Sequence, residues 1–142
     1  MSYLLDTCIL SIARKASQNA EILKKWLNRY AETSFFISAI SIGEIQMGIS
    51  KIHQEDRPKK EIFESWLLGY LIPRFEGRIL DVDRETCLIW GQVRGEAQKK
   101  GKPIPAIDAL IAASALQHRM VLVTENTKDF LATGVSLVNP LH

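Results

Sequence analysis

Apolar positions alternate between short unbroken runs and longer stretches where they recur every three or four residues. The unbroken runs predict strands at 3–5, 34–38, 77–82 and 120–124, with an edge strand at 135–138. Helical spacing predicts helices between them: 8–14, 18–32 (Ile22, Leu23, Trp26, Leu27 and Tyr30), 39–52 (Ile42, Ile45, Ile49 and Ile52), 59–72, 83–101 (Leu88, Ile89, Val93 and Ala97) and the alanine-rich 106–118. A polar, basic turn is expected at 53–58. Pro73 is expected to stop the 59–72 helix, Gly101 to end the next, and Pro103 and Pro105 to break the chain before the last. Ser38 is the expected N-cap of the 39–52 helix, and Ser41 with Glu44 has capping-box spacing. Strands separated by helices predict one α/β domain over 1–142 with a mainly parallel central sheet. The helices between its second and third strands make it unusually helix-rich.

The apolar run Y-L-L at 3–5 stops on Asp6. A carboxylate at the edge of a core is costly unless a hydrogen bond, a cation or a metal offsets its desolvation. Glu44, Asp108, Asn126 and Asp129 also lie beside apolar segments. Each has a local explanation. Asp6 suits an N-cap, Glu44 a capping box, Asp108 the first turn of a helix, and Asn126 with Asp129 a turn. Together those explanations weaken, because open α/β sheets collect functional groups outside the carboxyl ends of their strands. Carboxylates about 4 Å apart repel by roughly 4 kcal/mol per pair at an effective dielectric near 20. A fold tolerates that with a compensating cation or with raised pKa values. Carboxylate, amide and water oxygens suit Mg²⁺ or Mn²⁺ rather than zinc or copper. Such a site points to phosphate-ester chemistry. Thr7 and Thr124, beside the acids, either orient a water or a carboxylate or cap the backbone.

Composition narrows the setting. The 142 residues are 46% apolar and 24% charged, which excludes a disordered chain. Net charge is +2, with basic clusters at Arg57, Lys59 and Lys60 and at Arg94, Lys99, Lys100 and Lys102. These are either solvated helix faces or tracks for an RNA backbone. Two cysteines, Cys8 and Cys87, read as reduced thiols, and the three scattered histidines argue against a zinc site. No leader or membrane span is expected, so the chain reads as cytoplasmic, with no membrane partner.

Four motifs in order then carry a resemblance: L-L-D-T-C at 4–8, I-S-A-I-S-I-G-E-I-Q-M-G at 37–48, I-P-A-I-D-A-L-I-A-A-S-A at 104–115 and L-V-T-E-N-T-K-D-F at 122–130. The chain resembles PIN domains, specifically VapC-type ribonuclease toxins, and the closing G-V-S-L-V-N-P resembles the FitB-like subgroup. The resemblance implies a PIN-like three-layer α/β/α sandwich and a Mg²⁺-dependent endoribonuclease, with Mn²⁺ able to substitute. It implies a homodimer, a cognate antitoxin that inserts near the acidic pocket, and cellular RNA as substrate, with tRNA the first candidate. The family's acids fall on Asp6, Glu44 and Asp108. Asn126 stands where many relatives carry a fourth acid, with Asp129 three residues on. Asp6 and Asp108 are the expected direct ligands, with Glu44 and Asn126 or Asp129 acting mainly through water. Large apolar side chains on 18–32 and 59–72 (Trp26, Tyr30, Phe63, Trp66, Leu67 and Tyr70) serve either the core or a groove and dimer face. Two other readings are weighed: an inactive PIN-fold module that binds RNA or protein, and a phosphorelay receiver using Asp81 or Asp83 with Thr124 and Lys128.

Overall fold

Alternation along each strand decides which helices cover which face of the sheet. The computed structural model describes residues 1–142. Its strands are β1 (Tyr3–Leu5), β2 (Phe35–Ser38), β3 (Ile79–Leu80), β4 (Val121–Val123) and β5 (Leu137–Val138). They form one all-parallel sheet in the order β3-β2-β1-β4-β5. Leu4 registers against Phe36 on one side and Leu122 on the other, so β1 is central. The helices are α1 (Thr7–Arg14), α2 (Gln18–Leu27), α3 (Ala39–Ser50), α4 (Arg57–Trp66), α5 (Ile72–Arg74), α6 (Arg84–Lys99), α7 (Ala106–Gln117) and α8 (Thr127–Phe130).

Tyr3, Leu5, Phe35, Ile37 and Val123 point to one face and pack with Ile9, Leu23, Trp26, Leu67 and Leu71 from α1, α2 and the α4–α5 region. Leu4 and Leu122 point to the other and pack with Ile111, Ala112 and Ala115 of α7 and Phe130 of α8. Both faces are therefore covered, as a parallel sheet requires, and the layers are α/β/α as expected. Each fully buried Leu, Ile or Phe stabilises this arrangement by about 1.5–3 kcal/mol. α6 lies outside α7 and braces it at both ends. Trp90 Nε1 donates to Ala106 O at 3.0 Å and Arg94 Nε to Ile104 O at 3.2 Å. At the far end the Gln117 amide donates to Asp83 Oδ1 at 3.0 Å.

Several expectations are corrected. The 59–72 helix ends near Pro73 as expected, with Arg74 its last residue, but its path is not regular. A wide π turn over Leu67–Leu71 precedes α5, and Pro73 falls in the first turn of α5, where its missing N–H is not needed. The 18–32 helix ends at Leu27, because Tyr30 turns back onto Tyr3 and Trp26, with ring centroids 4.9 and 5.0 Å away. β3 spans two residues rather than 77–82: Gly77 turns with φ +80° just before it, and Asp83 caps α6 just after. Ser38 caps α3 as expected, accepting from Ile40 N–H at 3.2 Å. Ser41 lies inside the helix, so the expected capping box with Glu44 does not form. The one that does form joins Asp83 and Thr86. Gly101, at φ +71°, follows the end of α6.

Candidate active site

β1 and β4 are neighbours in the sheet, yet the chain leaves them for opposite edges. The carboxyl ends of the two strands flank the resulting crevice, the place where open α/β sheets carry their ligands. Asp6 follows β1 and Thr124 follows β4. The Asp6 N–H donates to Val123 O at 2.9 Å, which locks the two loops together.

Asp6 is 5% exposed, and both oxygens of its carboxylate accept hydrogen bonds. Oδ1 accepts the Thr7 N–H at 2.8 Å, and Oδ2 accepts the hydroxyl of wholly buried Thr124 at 2.8 Å. Cys8 Sγ adds a weak donor at 3.4 Å. Asp6 caps α1, as one of its sequence readings expects, and it sits at the carboxyl end of β1 beside the crevice. Thr7 does more than cap. Its hydroxyl donates to Glu44 Oε1 at 2.6 Å and meets Ser41 Oγ at 2.7 Å. Thr124 also accepts the Asn126 N–H at 3.1 Å, tying the 124–126 turn to the same point.

Asp108 is half-buried in the first turn of α7, where Pro105 supplies no side-chain cap. Burial, and then the negative charges of Asp6, Asp129 and Glu44, push its carboxyl up to about 6. That repulsion joins four acids from four parts of the chain in one electrostatic neighbourhood. No lysine or arginine relieves it, since the ion pairs of the molecule lie elsewhere, at Glu32 and Glu96. No three acidic, histidine or cysteine side chains close tightly enough to enclose an ion by themselves. The donor set nevertheless fits a hard divalent cation: oxygen atoms, uncompensated negative charge, and carboxylates pre-aimed by hydroxyls.

Asn126 and Asp129 are exposed on α8 and the turn before it. Asp129 is felt by Asp108, whereas the Asn126 side chain makes no hydrogen bond. Sequence reasoning missed Ser41 and Cys8. Ser41 had a usable signal, being one helical turn before Glu44, but local spacing favoured a cap. Cys8 stands two residues after Asp6, and burial followed by the Asp6 charge pushes its thiol up to about 11, so it is a neutral donor. Both cysteines are free thiols.

The basic clusters divide. Arg94 is half-buried and holds the Ile104 carbonyl, while Lys99, Lys100 and Lys102 remain exposed. Of the large apolar residues on α2 and α4, Trp26 and Leu67 belong to the core. Phe63 and Trp66 instead line a groove of about 280 Å³ with Ile45, Ile49 and Ile52. The Arg14 guanidinium lies 4.1 Å over the Phe63 ring at its edge.

A receiver domain is excluded by topology. Receivers have the strand order 2-1-3-4-5, which differs from the order found here. Asp83, one of the two acceptors that reading offers beside Asp81, is tied up by Thr86 and Gln117, which hold its carboxyl below the usual range.

Known proteins agree with this geometry. Toxin FitB of Neisseria gonorrhoeae is 33% identical over 98% of both chains. The tRNA(fMet)-specific endonuclease VapC of Shigella flexneri is 27% identical over 94% of this chain and 93% of its own. The crystal structure of FitAcB from Neisseria gonorrhoeae superposes with a TM-score of 0.88 at 33% identity, covering 99% of each chain. The PIN domain family matches residues 3–135. With the parallel sheet, the crevice between β1 and β4 and the acids around it, this match establishes that the chain belongs to the PIN domain family.

Proposed function

We propose that this protein is the toxin of a bacterial toxin–antitoxin pair and acts as a divalent-cation-dependent endoribonuclease, with Mg²⁺ as its ion and Mn²⁺ able to substitute. The observation that carries the reading is Asp108: a half-buried carboxyl raised by burial and by three other acids, none of which forms an ion pair. A structural role would leave such repulsion unrelieved.

Asp6 and Asp108 are the direct ligands. Glu44 and Asp129 contribute mainly through water, and Asn126 offers a neutral oxygen at the pocket mouth. The ion, when bound, supplies a water of lowered pKa and stabilises charge on the scissile phosphate. The chain's own residues supply pre-organisation. Thr124 and the Thr7 N–H fix both oxygens of Asp6, and the Thr7 hydroxyl fixes Glu44, so the carboxylates need little rearrangement as charge develops. The net reaction adds water across a phosphodiester: an oxygen–phosphorus bond forms and the bond to the 3′ oxygen breaks.

The exposed Arg57, Lys59, Lys99, Lys100 and Lys102 are suited to follow the RNA backbone, whose phosphates supply most sequence-independent affinity. Transfer RNA is the first substrate to test, supported by the name of the Shigella relative. The Phe63–Trp66 groove suits an amphipathic helix of the antitoxin. An arginine from that partner reaching the acids would compensate their charge and shut out the cation. The working form is a cytoplasmic homodimer; no helix here is long and apolar enough to cross a membrane.

The test is incubation of the purified protein with total cellular RNA in Mg²⁺, in Mn²⁺ and in EDTA, followed by mapping of the new 5′ ends. Discrete, chelator-sensitive ends are expected. Intact RNA in both metals would overturn the reading.

A further inference from the structure

Ser41 occupies the third position of α3, is wholly buried, and places its Oγ 2.7 Å from Thr7 Oγ1. Thr7 Oγ1 lies 2.6 Å from Glu44 Oε1 and donates to it. A hydroxyl carries a single proton. Thr7, having given its proton to Glu44, must accept from Ser41. The chain of bonds therefore has one direction while Glu44 is ionised: Ser41 to Thr7 to Glu44.

That direction has a consequence for Thr7. Its hydroxyl rotor has several staggered settings, and only some aim the proton at Glu44. The Ser41 proton, pointed at the Thr7 oxygen, repels any setting in which the Thr7 proton turns back toward Ser41. The favoured setting is the one that serves the carboxylate. The bond chain also ends at Ser41, whose Oγ has no other partner and no exposure. It therefore does not conduct protons to solvent; it fixes orientation.

We propose that Ser41 is a positioning residue for the divalent-cation site, acting through the Thr7 hydroxyl on the carboxylate of Glu44. This assignment rests on the cation-dependent ribonuclease reading. It adds a residue on the buried side of the site, which touches neither ion nor substrate.

The experiment is a double-mutant cycle of Ser41→Ala with Thr7→Val, scored by Mn²⁺ affinity in calorimetry, by RNA cleavage and by melting temperature. Groups that orient metal ligands typically govern affinity or activity by about 10–100-fold, and Ser41 acts one bond further out, so Ser41→Ala is expected to weaken Mn²⁺ binding by roughly three- to ten-fold. Cleavage should fall in parallel, with KM for RNA unchanged. In the Thr7→Val background the same substitution should change Mn²⁺ affinity by less than about two-fold, because the intermediary is gone. Ser41→Thr, which keeps the hydroxyl, should restore affinity if it folds; the cycle decides without it. An equal loss in both backgrounds would make Ser41 a general packing residue and overturn the assignment. Unchanged Mn²⁺ affinity in a folded Ser41→Ala protein would do the same. If the wild-type protein binds Mn²⁺ with the expected coupling yet cleaves no RNA, the ribonuclease reading fails and the Ser41 assignment stands.

Discussion

Thr7 and Glu44 stand 37 positions apart in the chain, yet the hydroxyl of one donates to the carboxylate of the other at 2.6 Å. The Thr7 N–H meanwhile holds Asp6 at 2.8 Å. One residue thus ties two acids from different layers of the fold to the first turn of α1.

Asp108 makes the site measurable through pH. Its folded value of about 6 lies above its ordinary 3.8, so the folded chain binds more protons between those values. Stability from this group is therefore full below pH 4 and is lost as pH rises through 6. Asp108→Asn should stabilise the metal-free protein at pH 7.5 by about 1 kcal/mol, a figure discounted for the partial hydration of the group. That gain corresponds to roughly 2–4 °C in melting temperature for a chain of this size. It should vanish near pH 4, while RNA cleavage is lost at every pH. Melting curves in EDTA across this range check the sign; a destabilised variant at pH 7.5 would contradict it.

Thr124 is wholly buried and gives its proton to Asp6 Oδ2. Thr124→Val keeps the shape and removes the donor, leaving a buried carboxylate oxygen short of a partner. The expected cost is about 1–3 kcal/mol, read in urea unfolding. Thr124→Ser should recover most of it. Equal loss in the Ser variant would mean that the methyl packing, rather than the hydroxyl, matters.

Ser114 lies on α7, six residues beyond Asp108, and its buried hydroxyl has no hydrogen-bond partner. Replacing it with Ala removes a polar group that the core leaves unsatisfied. Ser114→Ala should be neutral or stabilising by up to about 1 kcal/mol, with cleavage unchanged. A marked loss of stability would show that the hydroxyl is satisfied in solution.

Trp90 holds the carbonyl of Ala106, the first residue of α7, and Arg94 that of Ile104 just before it. Arg94→Met keeps much of the stem and frees the Ile104 carbonyl. It should lower stability by about 1 kcal/mol and reduce cleavage, because the turn carrying Asp108 loosens. A change confined to RNA affinity, with stability intact, would instead place Arg94 on the RNA path.

The sequence made some of this plain. β1, β4 and α7 are unbroken apolar or small-residue segments, so their existence and layering follow from pattern alone. Asp6 was legible because a carboxylate ending an apolar strand needs a reason. Other features depend on distant partners. The Ser41–Glu44 spacing matches a capping box, and nothing local reveals that Thr7 takes both side chains. Pro73 marks the helix end correctly, whereas nothing local reveals the π turn over Leu67–Leu71 before it. Tyr30 fits the helical stripe of α2, but stacking on Tyr3 draws it out of the helix. Arg94 reads as part of a basic surface because sequence shows its charge and not the carbonyl it serves. The gathering of the acids follows only loosely from their places at strand ends and early helix turns, and the family resemblance sharpens it, because spacing alone does not bring residues 6, 44, 108 and 129 together.

The central claim is that Asp6 and Asp108 share one divalent cation. Anomalous diffraction from crystals soaked in Mn²⁺ tests it most directly. A single strong peak is expected in the crevice between β1 and β4, coordinated by one carboxylate oxygen of Asp6 and one of Asp108, and absent from an Asp6→Asn crystal. A peak bound by one of these acids without the other, or no peak in the crevice at saturating Mn²⁺, would contradict it.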